Sequence, residues 1–180
     1  MRQDGRSASL TAPNGSAQRE LLLGALGRAQ RAPEEVACVE AHGTGTALGD
    51  PTEMGALAAV HRERVTPALI GAAKASVGHA EAASGQVGLL KLRRVLQDAA
   101  APGNAQLRAL NPILRERLGG GLFCFVLPAQ TSAVDSLLVP GLATSGAGGV
   151  SSFGYSGTIA HAVVRRGRAC LLYTSPSPRD

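Results

Sequence analysis

Apolar positions recur in two different rhythms along the 180-residue chain. In "TAPNGSAQRELLLGALGRAQ", Leu22, Leu26 and Ala29 share one face at helical spacing, after a Pro13-Asn14-Gly15 turn. That spacing predicts a helix with Ser16 as its N-cap and Pro33 as its stop. "VACVEAH" (residues 36–42) and "PALIGAA" (residues 67–73) are short apolar runs that predict strands. Between them, "GDPTE" predicts a second helix, with Asp50 as N-cap, Pro51 at the first helical position and Glu53 reaching back as in a capping box. From about Ala80, the row Gly85, Leu89, Leu92 and Leu96 predicts a third helix. Lys91, Arg93, Arg94, Gln97 and Asp98 lie mostly off that row. Ala82, Ala83, Ser84, Gly85 and Gly88 would cost helix propensity in water, so they predict close packing inside the fold. "LFCFVL" (122–127) predicts a buried strand, and residues 149–164 a turn-rich loop running into a final strand. Strands alternating with helices indicate an α/β layered fold.

Composition narrows the function classes. Aromatics make up 3% of residues, there is no Trp, and the net charge is +5. All but two of the 18 basic residues are arginines, yet they are dispersed and several crowd the two ends. Without aromatics for base stacking, no nucleic acid is expected as a partner. Cys38, Cys124 and Cys170 have no metal-ligand spacing, and two of them sit in apolar runs as small hydrophobes. No apolar run is long enough for a membrane span. The N-terminus lacks the apolar centre of a signal peptide, so a cytoplasmic location is the expectation.

Candidate chemistry rests on the histidines. His61 lies at the polar end of a helix and reads as solvated, and His161 in "TIAHAVV" as a packed structural residue. His42 and His79 differ: each follows an apolar strand or its loop, beside glycines and ahead of a helix, where α/β folds display functional groups. A dinucleotide fingerprint around Gly43-Thr44-Gly45 would need glycine at position 48, which is Leu48, and no Walker lysine follows. Metal spacing is lacking too, so no metal site is expected. Acyl chemistry remains, because neutral imidazoles can donate to a carbonyl oxygen that gains charge. A helix start just after His79 disfavours the imidazolium form, and Lys74 could polarise or orient the site.

Four stretches in order carry a family resemblance: "QDGRSASLTAPNG" (3–15), "HGTGTALGDPTE" (42–53), "KASVGHAEAASGQVGLLK" (74–91) and "GVSSFGYSGTIAH" (149–161). Together they resemble the β-ketoacyl synthase, or ketosynthase, domain of modular polyketide synthases. The resemblance implies a thiolase-like layered fold, of which this chain supplies the C-terminal half. Residues 1–15 would precede the first histidine motif, residues 16–164 would form the half-domain, and residues 165–180 would be a non-family tail, disordered or read through from foreign sequence. The implied reaction is decarboxylative Claisen condensation of acyl and malonyl-type thioesters, in polyketide or fatty acid biosynthesis. His42 and His79 would be the catalytic histidines, hydrogen-bonding the extender thioester carbonyl, and Lys74 would support the second of them. Thr44 and Thr46 would contact the phosphopantetheine arm. The N–H of Tyr155 would serve an oxyanion hole, and Phe153 and Tyr155 would line a gate. No bound cofactor is implied, since the substrates ride on the phosphopantetheine of an acyl carrier protein. Further implied partners are the N-terminal half of the same domain and, for the full domain, a second copy in a homodimer.

Three departures qualify that picture. The family's nucleophilic cysteine stands in an elbow upstream of these motifs, and none of the three cysteines here sits in one. Ile159 stands where the family has asparagine, and the proline- and tryptophan-containing stretch of the family is not evident between Gly119 and Gly148. The isolated chain is therefore expected to form no acyl-enzyme. The competing reading is a non-catalytic thiolase-fold partner that binds a carrier protein. A small hydrolase is disfavoured for want of a Gly-x-Ser-x-Gly elbow.

Overall fold

The computed structural model describes residues 1–6, 12–119, 124–133 and 146–167. A six-stranded mixed sheet forms the middle layer. Its strands are β1 (Arg2–Gln3), β2 (Val36–Glu40), β3 (Ala68–Gly71), β5 (Phe125–Val126), β7 (Ala147–Phe153) and β8 (Thr158–Arg165), in the order β1-β8-β7-β2-β3-β5. β7, β2, β3 and β5 run parallel, while β8 is antiparallel to both β7 and β1. β4 (Ala100–Ala101) and β6 (Ser132–Ala133) pair separately.

Helices cover both faces, which is why "VACVE" is buried along its whole length. On one side, α1 (Gly15–Ala29), α2 (Gly49–His61) and α5 (Pro112–Leu118) place Leu22, Leu26, Met54, Leu57, Leu114 and Leu118 against Val36, Val39 and Ile70. On the other, α4 (Ser84–Asp98) packs Leu92, Val95 and Leu96 on Ala37, Cys38, Leu69 and Val150. A register shift between Val36 and Cys38 lets Ala37 and Cys38 both turn toward α4. Gly148 allows that approach: a Cβ there would lie 2.5 Å from Leu92 Cδ1 and 2.9 Å from Cys38 Sγ.

Several expectations change. Asn14, not Ser16, caps α1, its side chain accepting the Ala17 N–H, and α1 ends at Ala29 with Gln30 left-handed, before Pro33. Ala29 is exposed, since Leu21, Leu22, Ala25 and Leu26 make the buried face. α4 begins at Ser84 after a short 3-10 turn (Glu81–Ala83), and its buried row is Ser84, Gly88, Leu92, Val95 and Leu96. Leu89 is on the solvent side, and Ala82 and Ala83 are exposed rather than packed. Gly88 does pack closely, against Val150 and Glu40. The expected strand at 122–127 is strand only at β5, and Leu122 and Phe123 lie outside the described residues. In residues 149–164 the expected final strand is β8, but the expected loop before it is mostly β7, and the turn of this hairpin is only residues 154–157. β8 extends to Arg165, which pairs with Ala147, and residues 168–180 lie outside the described residues. No helix among the described residues is long and apolar enough to cross a membrane.

Candidate active site

β7, β2 and β3 are parallel neighbours, so their carboxyl ends open on one edge of the sheet. The loop after β2 carries His42, Thr44 and Thr46. The segment after β3 carries Lys74, in the short helix α3 (Lys74–Val77), and His79. The end of β7 and its turn carry Phe153 and Tyr155. His42, Thr44, Thr46, His79, Phe153 and Tyr155 all line one cleft of about 500 Å³.

The two imidazoles stand edge to face, ring centroids 5.8 Å apart. His42 is buried, with Nδ1 3.2 Å from Lys74 Nζ and 3.4 Å from the Phe153 N–H. An ammonium can only donate, so Nδ1 is the acceptor and the neutral ring keeps its proton on Nε2. Burial first, then the charge on Lys74, then His79, hold the His42 pKa down at about 4. His79 is exposed, and its Nδ1 accepts the Glu81 N–H at 2.9 Å with the Ser84 hydroxyl at 3.2 Å. Its neutral ring therefore also carries the proton on Nε2. Two rings from two loops are thus oriented by protein donors at one nitrogen and left with a free donor at the other.

Lys74 contacts the first histidine, not the second as expected: its Nζ donates to His42 O and faces His42 Nδ1. Burial lowers the Lys74 pKa, while Glu53, Glu40 and Asp50 oppose that shift. Phe153 packs on His42 with ring centroids 5.4 Å apart, whereas Tyr155 projects into solvent. The Thr44 and Thr46 hydroxyls pair at 3.0 Å.

The capping reading of Asp50 and Glu53 is wrong. α2 starts at Gly49 with no side-chain cap, and both carboxylates turn back onto the loop before it. Glu53 Oε1 accepts the His42 N–H at 2.8 Å and Oε2 the Gly43 N–H at 2.9 Å, while Asp50 accepts the Gly45 N–H at 3.0 Å. Burial pushes the Glu53 pKa up to about 7, against the pull of those two N–H groups. His61, expected in solvent, is 2% exposed and stacks edge-on to Phe125, with Nδ1 unpartnered. Three residues on, Arg64 is itself 3% exposed and donates to Pro33 O, Val36 O and Thr66 O. His161 is a packed residue as expected, its Nδ1 3.0 Å from Ser151 Oγ.

Three supporting residues had no role expected of them at the site: Ser84, Glu40 and Lys91. Glu40 is 4% exposed and pairs with Lys91 Nζ at 2.8 Å. A carboxylate inside an otherwise apolar strand was the available signal for it. Cys38 and Cys124 are buried, and burial drives both thiols upward, Cys38 to about 12, so neither is a ready nucleophile. Cys170 lies outside the described residues. Among the described residues, no cluster of three or more His, Cys, Asp or Glu groups could hold a metal ion.

Residues 1–108 match the family model for the β-ketoacyl synthase C-terminal domain. The chain is 40% identical over 165 residues to a phenolphthiocerol/phthiocerol polyketide synthase polypeptide of Mycobacterium tuberculosis, covering 92% of this chain and 10% of that protein. It is 39% identical over 170 residues to the polyketide synthase GfsE of Streptomyces halstedii, 93% of this chain and 4% of that one. The fold is similar to an oxazolomycin ketosynthase domain of Streptomyces albus, with TM-score 0.82, 30% identity, and coverage of 93% of this chain and 29% of that one. A ketosynthase from module 6 of the bacillaene synthase of Bacillus subtilis superposes with TM-score 0.80 at 28% identity, with the same coverage. The chain thus spans a tenth or less of these curated relatives and under a third of these two solved chains.

Proposed function

Because this chain belongs to the β-ketoacyl synthase family, in its C-terminal domain, we propose that it builds the decarboxylating side of a ketosynthase centre in a polyketide synthase. The observation that carries this reading is the matched state of His42 and His79, each fixed at Nδ1 and each keeping an Nε2 donor beside the shared cleft. A malonyl-type thioester lies with its carbonyl oxygen between the two donors. Its C–C bond to the carboxylate breaks, carbon dioxide leaves, and the electron pair moves onto the enolate oxygen. Two neutral N–H donors stabilise that oxygen without giving up a proton. The enolate carbon then attacks an acyl thioester and expels its thiolate.

The acyl group is held by a cysteine other than Cys38 or Cys124, whose buried thiols are unreactive. Thr44 and Thr46 contact the phosphopantetheine arm of an acyl carrier protein, and Phe153 and Tyr155 border the acyl entrance with the Tyr155 N–H as an oxyanion donor. The rest of the domain and a second copy of it are the expected structural partners.

Two assays test this. The complete domain containing this chain should release carbon dioxide from malonyl-carrier thioester, and His42→Ala and His79→Ala should each lower that rate at least about a hundredfold. Unchanged decarboxylation in either variant overturns the assignment of that histidine. The isolated chain should take no label from an acyl thioester, and stoichiometric acylation would refute the placement of the nucleophile elsewhere.

A further inference from the structure

Lys74 has a choice of partners. Glu40, Asp50 and Glu53 all attract its ammonium, yet its nitrogen rests on His42. Glu40 is the competitor to explain. It is two residues from His42, is buried, and shares a narrow polar crevice with Lys74, Ser84 and Ser151. Its Oε1 accepts the N–H of Ala73, the residue just before Lys74, so the carboxylate fixes the backbone that presents this lysine. Its Oε2 is taken by Lys91, which reaches across from α4.

The fold makes room for that pair. A Cβ on Gly71 would lie 2.7 Å from Lys91 Nζ and 2.8 Å from Glu40 Oε2, and one on Gly88 would lie 3.3 Å from Glu40 Cγ. Lys91 is itself mostly buried, with 17% of its side chain exposed. A buried ion pair is a poor source of net stability, so its retention in this tight space calls for another account.

We propose that Lys91 is a positioning residue: by occupying the Glu40 carboxylate, it leaves the Lys74 ammonium on His42. Without Lys91, Glu40 is a buried carboxyl, its pKa raised by burial, and the remaining cation that stabilises its charge among the described residues is Lys74. Lys74 then swings from Nδ1 of His42 into the crevice, and His42 loses both its orienting donor and the charge that opposes its protonation. The groups facing Glu40 are Lys91 from α4, Lys74 from α3 and the Cys38 thiol on its own strand. Those facing the His42 ring are Lys74 and His79, with Glu53 held on its backbone N–H.

This inference rests on His42 being part of the reaction centre only for its catalytic arm. The test uses the complete domain containing this chain, as wild type, Lys91→Met and Lys91→Met/Glu40→Gln. The amide that Glu40→Gln introduces still accepts the Ala73 N–H but carries no charge to draw Lys74 away. NMR titration of the His42 ring and the rate of malonyl-thioester decarboxylation are read together. In Lys91→Met the His42 midpoint should rise by about one unit and the rate should fall about tenfold. In the double variant both should return to within about threefold, or a few tenths of a unit, of wild type. A purely space-filling Lys91 makes the double variant no better than the single one, and that result overturns the proposal. So does an unmoved His42 titration in Lys91→Met. Should Lys91→Met not fold, Lys91→Gln is read against Lys91→Gln/Glu40→Gln in its place: a His42 midpoint raised in the first and restored in the second supports the proposal, and equal midpoints refute it. If His42 titrates as expected and no variant, wild type included, decarboxylates, the functional reading fails and the positioning role stands.

Discussion

The two carboxylate oxygens of Glu53 accept the consecutive backbone N–H groups of His42 and Gly43, at 2.8 and 2.9 Å. A helix residue eleven positions downstream thereby sets the main chain from which the first imidazole projects. Buried N–H groups need acceptors, and a loop leaving a central strand has no neighbouring strand to supply them.

Glu53→Gln should expose this role, since the amide keeps one acceptor and turns an NH₂ group against the second N–H. In the complete domain containing this chain, the expected outcome is a loss of about 1–3 kcal/mol in urea unfolding and, on the proposed function, a lowered decarboxylation rate. Wild-type stability with a wild-type rate would show that the loop holds itself.

Lys74→Met removes the second cause of the low His42 pKa while leaving burial, the first, in place. His42 should therefore titrate higher than about 4 yet remain below its ordinary 6.5. On the proposed function, the acid limb of the complete domain's decarboxylation profile should move upward with it. A limb that stays put would mean that Lys74 orients the ring without tuning its charge.

Acid stability should follow the buried titrating groups. His42, His61 and His161 each sit at about 4 against an ordinary 6.5, mainly through burial. Their contribution is complete above pH 6.5 and is lost as pH falls through 4. Glu53, raised from 4.5 to about 7, acts in the opposite sense: its contribution is complete below 4.5 and is lost as pH rises through 7. Near pH 5.5 these four groups together thus bind about two more protons in the unfolded chain than in the folded one, and their combined contribution to stability should rise with pH there. His61→Phe should cut that proton difference to about one, as read from the pH dependence of urea midpoints at constant m-value. An unchanged slope would mean that His61 is reached by water.

Gly43→Ala should be poorly tolerated for two separate reasons. Its φ of +49° lies in the left-handed region, and a Cβ there would lie 2.7 Å from Ala72 Cβ. The contact joins the His42 loop to the segment leading to Lys74. A thermal midpoint lowered by several degrees is expected, from a cost of about 2 kcal/mol. A midpoint within a degree of wild type would show that the two loops move apart freely.

Much of this was legible from residue order. The apolar runs placed the central strands, the glycine-flanked histidines marked the carboxyl edge, and four motifs pointed to the ketosynthase family, which the match over residues 1–108 shows. Asp50 and Glu53 misled because an acidic pair at a helix start satisfies a capping box by spacing alone. Their acceptors could serve either the helix or the preceding loop, and spacing does not say which N–H groups lie closer. His61 misled because polar neighbours suggested a solvated helix end, whereas its ring packs on Phe125 and the neighbouring Arg64 is itself buried on three carbonyls.

The sequence by itself determined the kind of layers, the strands that end in chemistry, and the two rings available for it. Those follow from local periodicity and residue type, which need no knowledge of distant contacts. Only the tertiary structure decided which partner each charge took: Lys74 on His42, Glu53 on the loop backbone, Lys91 on Glu40. Such pairings span 11 to 51 positions and depend on ångström differences between competing ions inside a poorly screened interior. Strand order and helix packing fix those differences, and residue order alone does not.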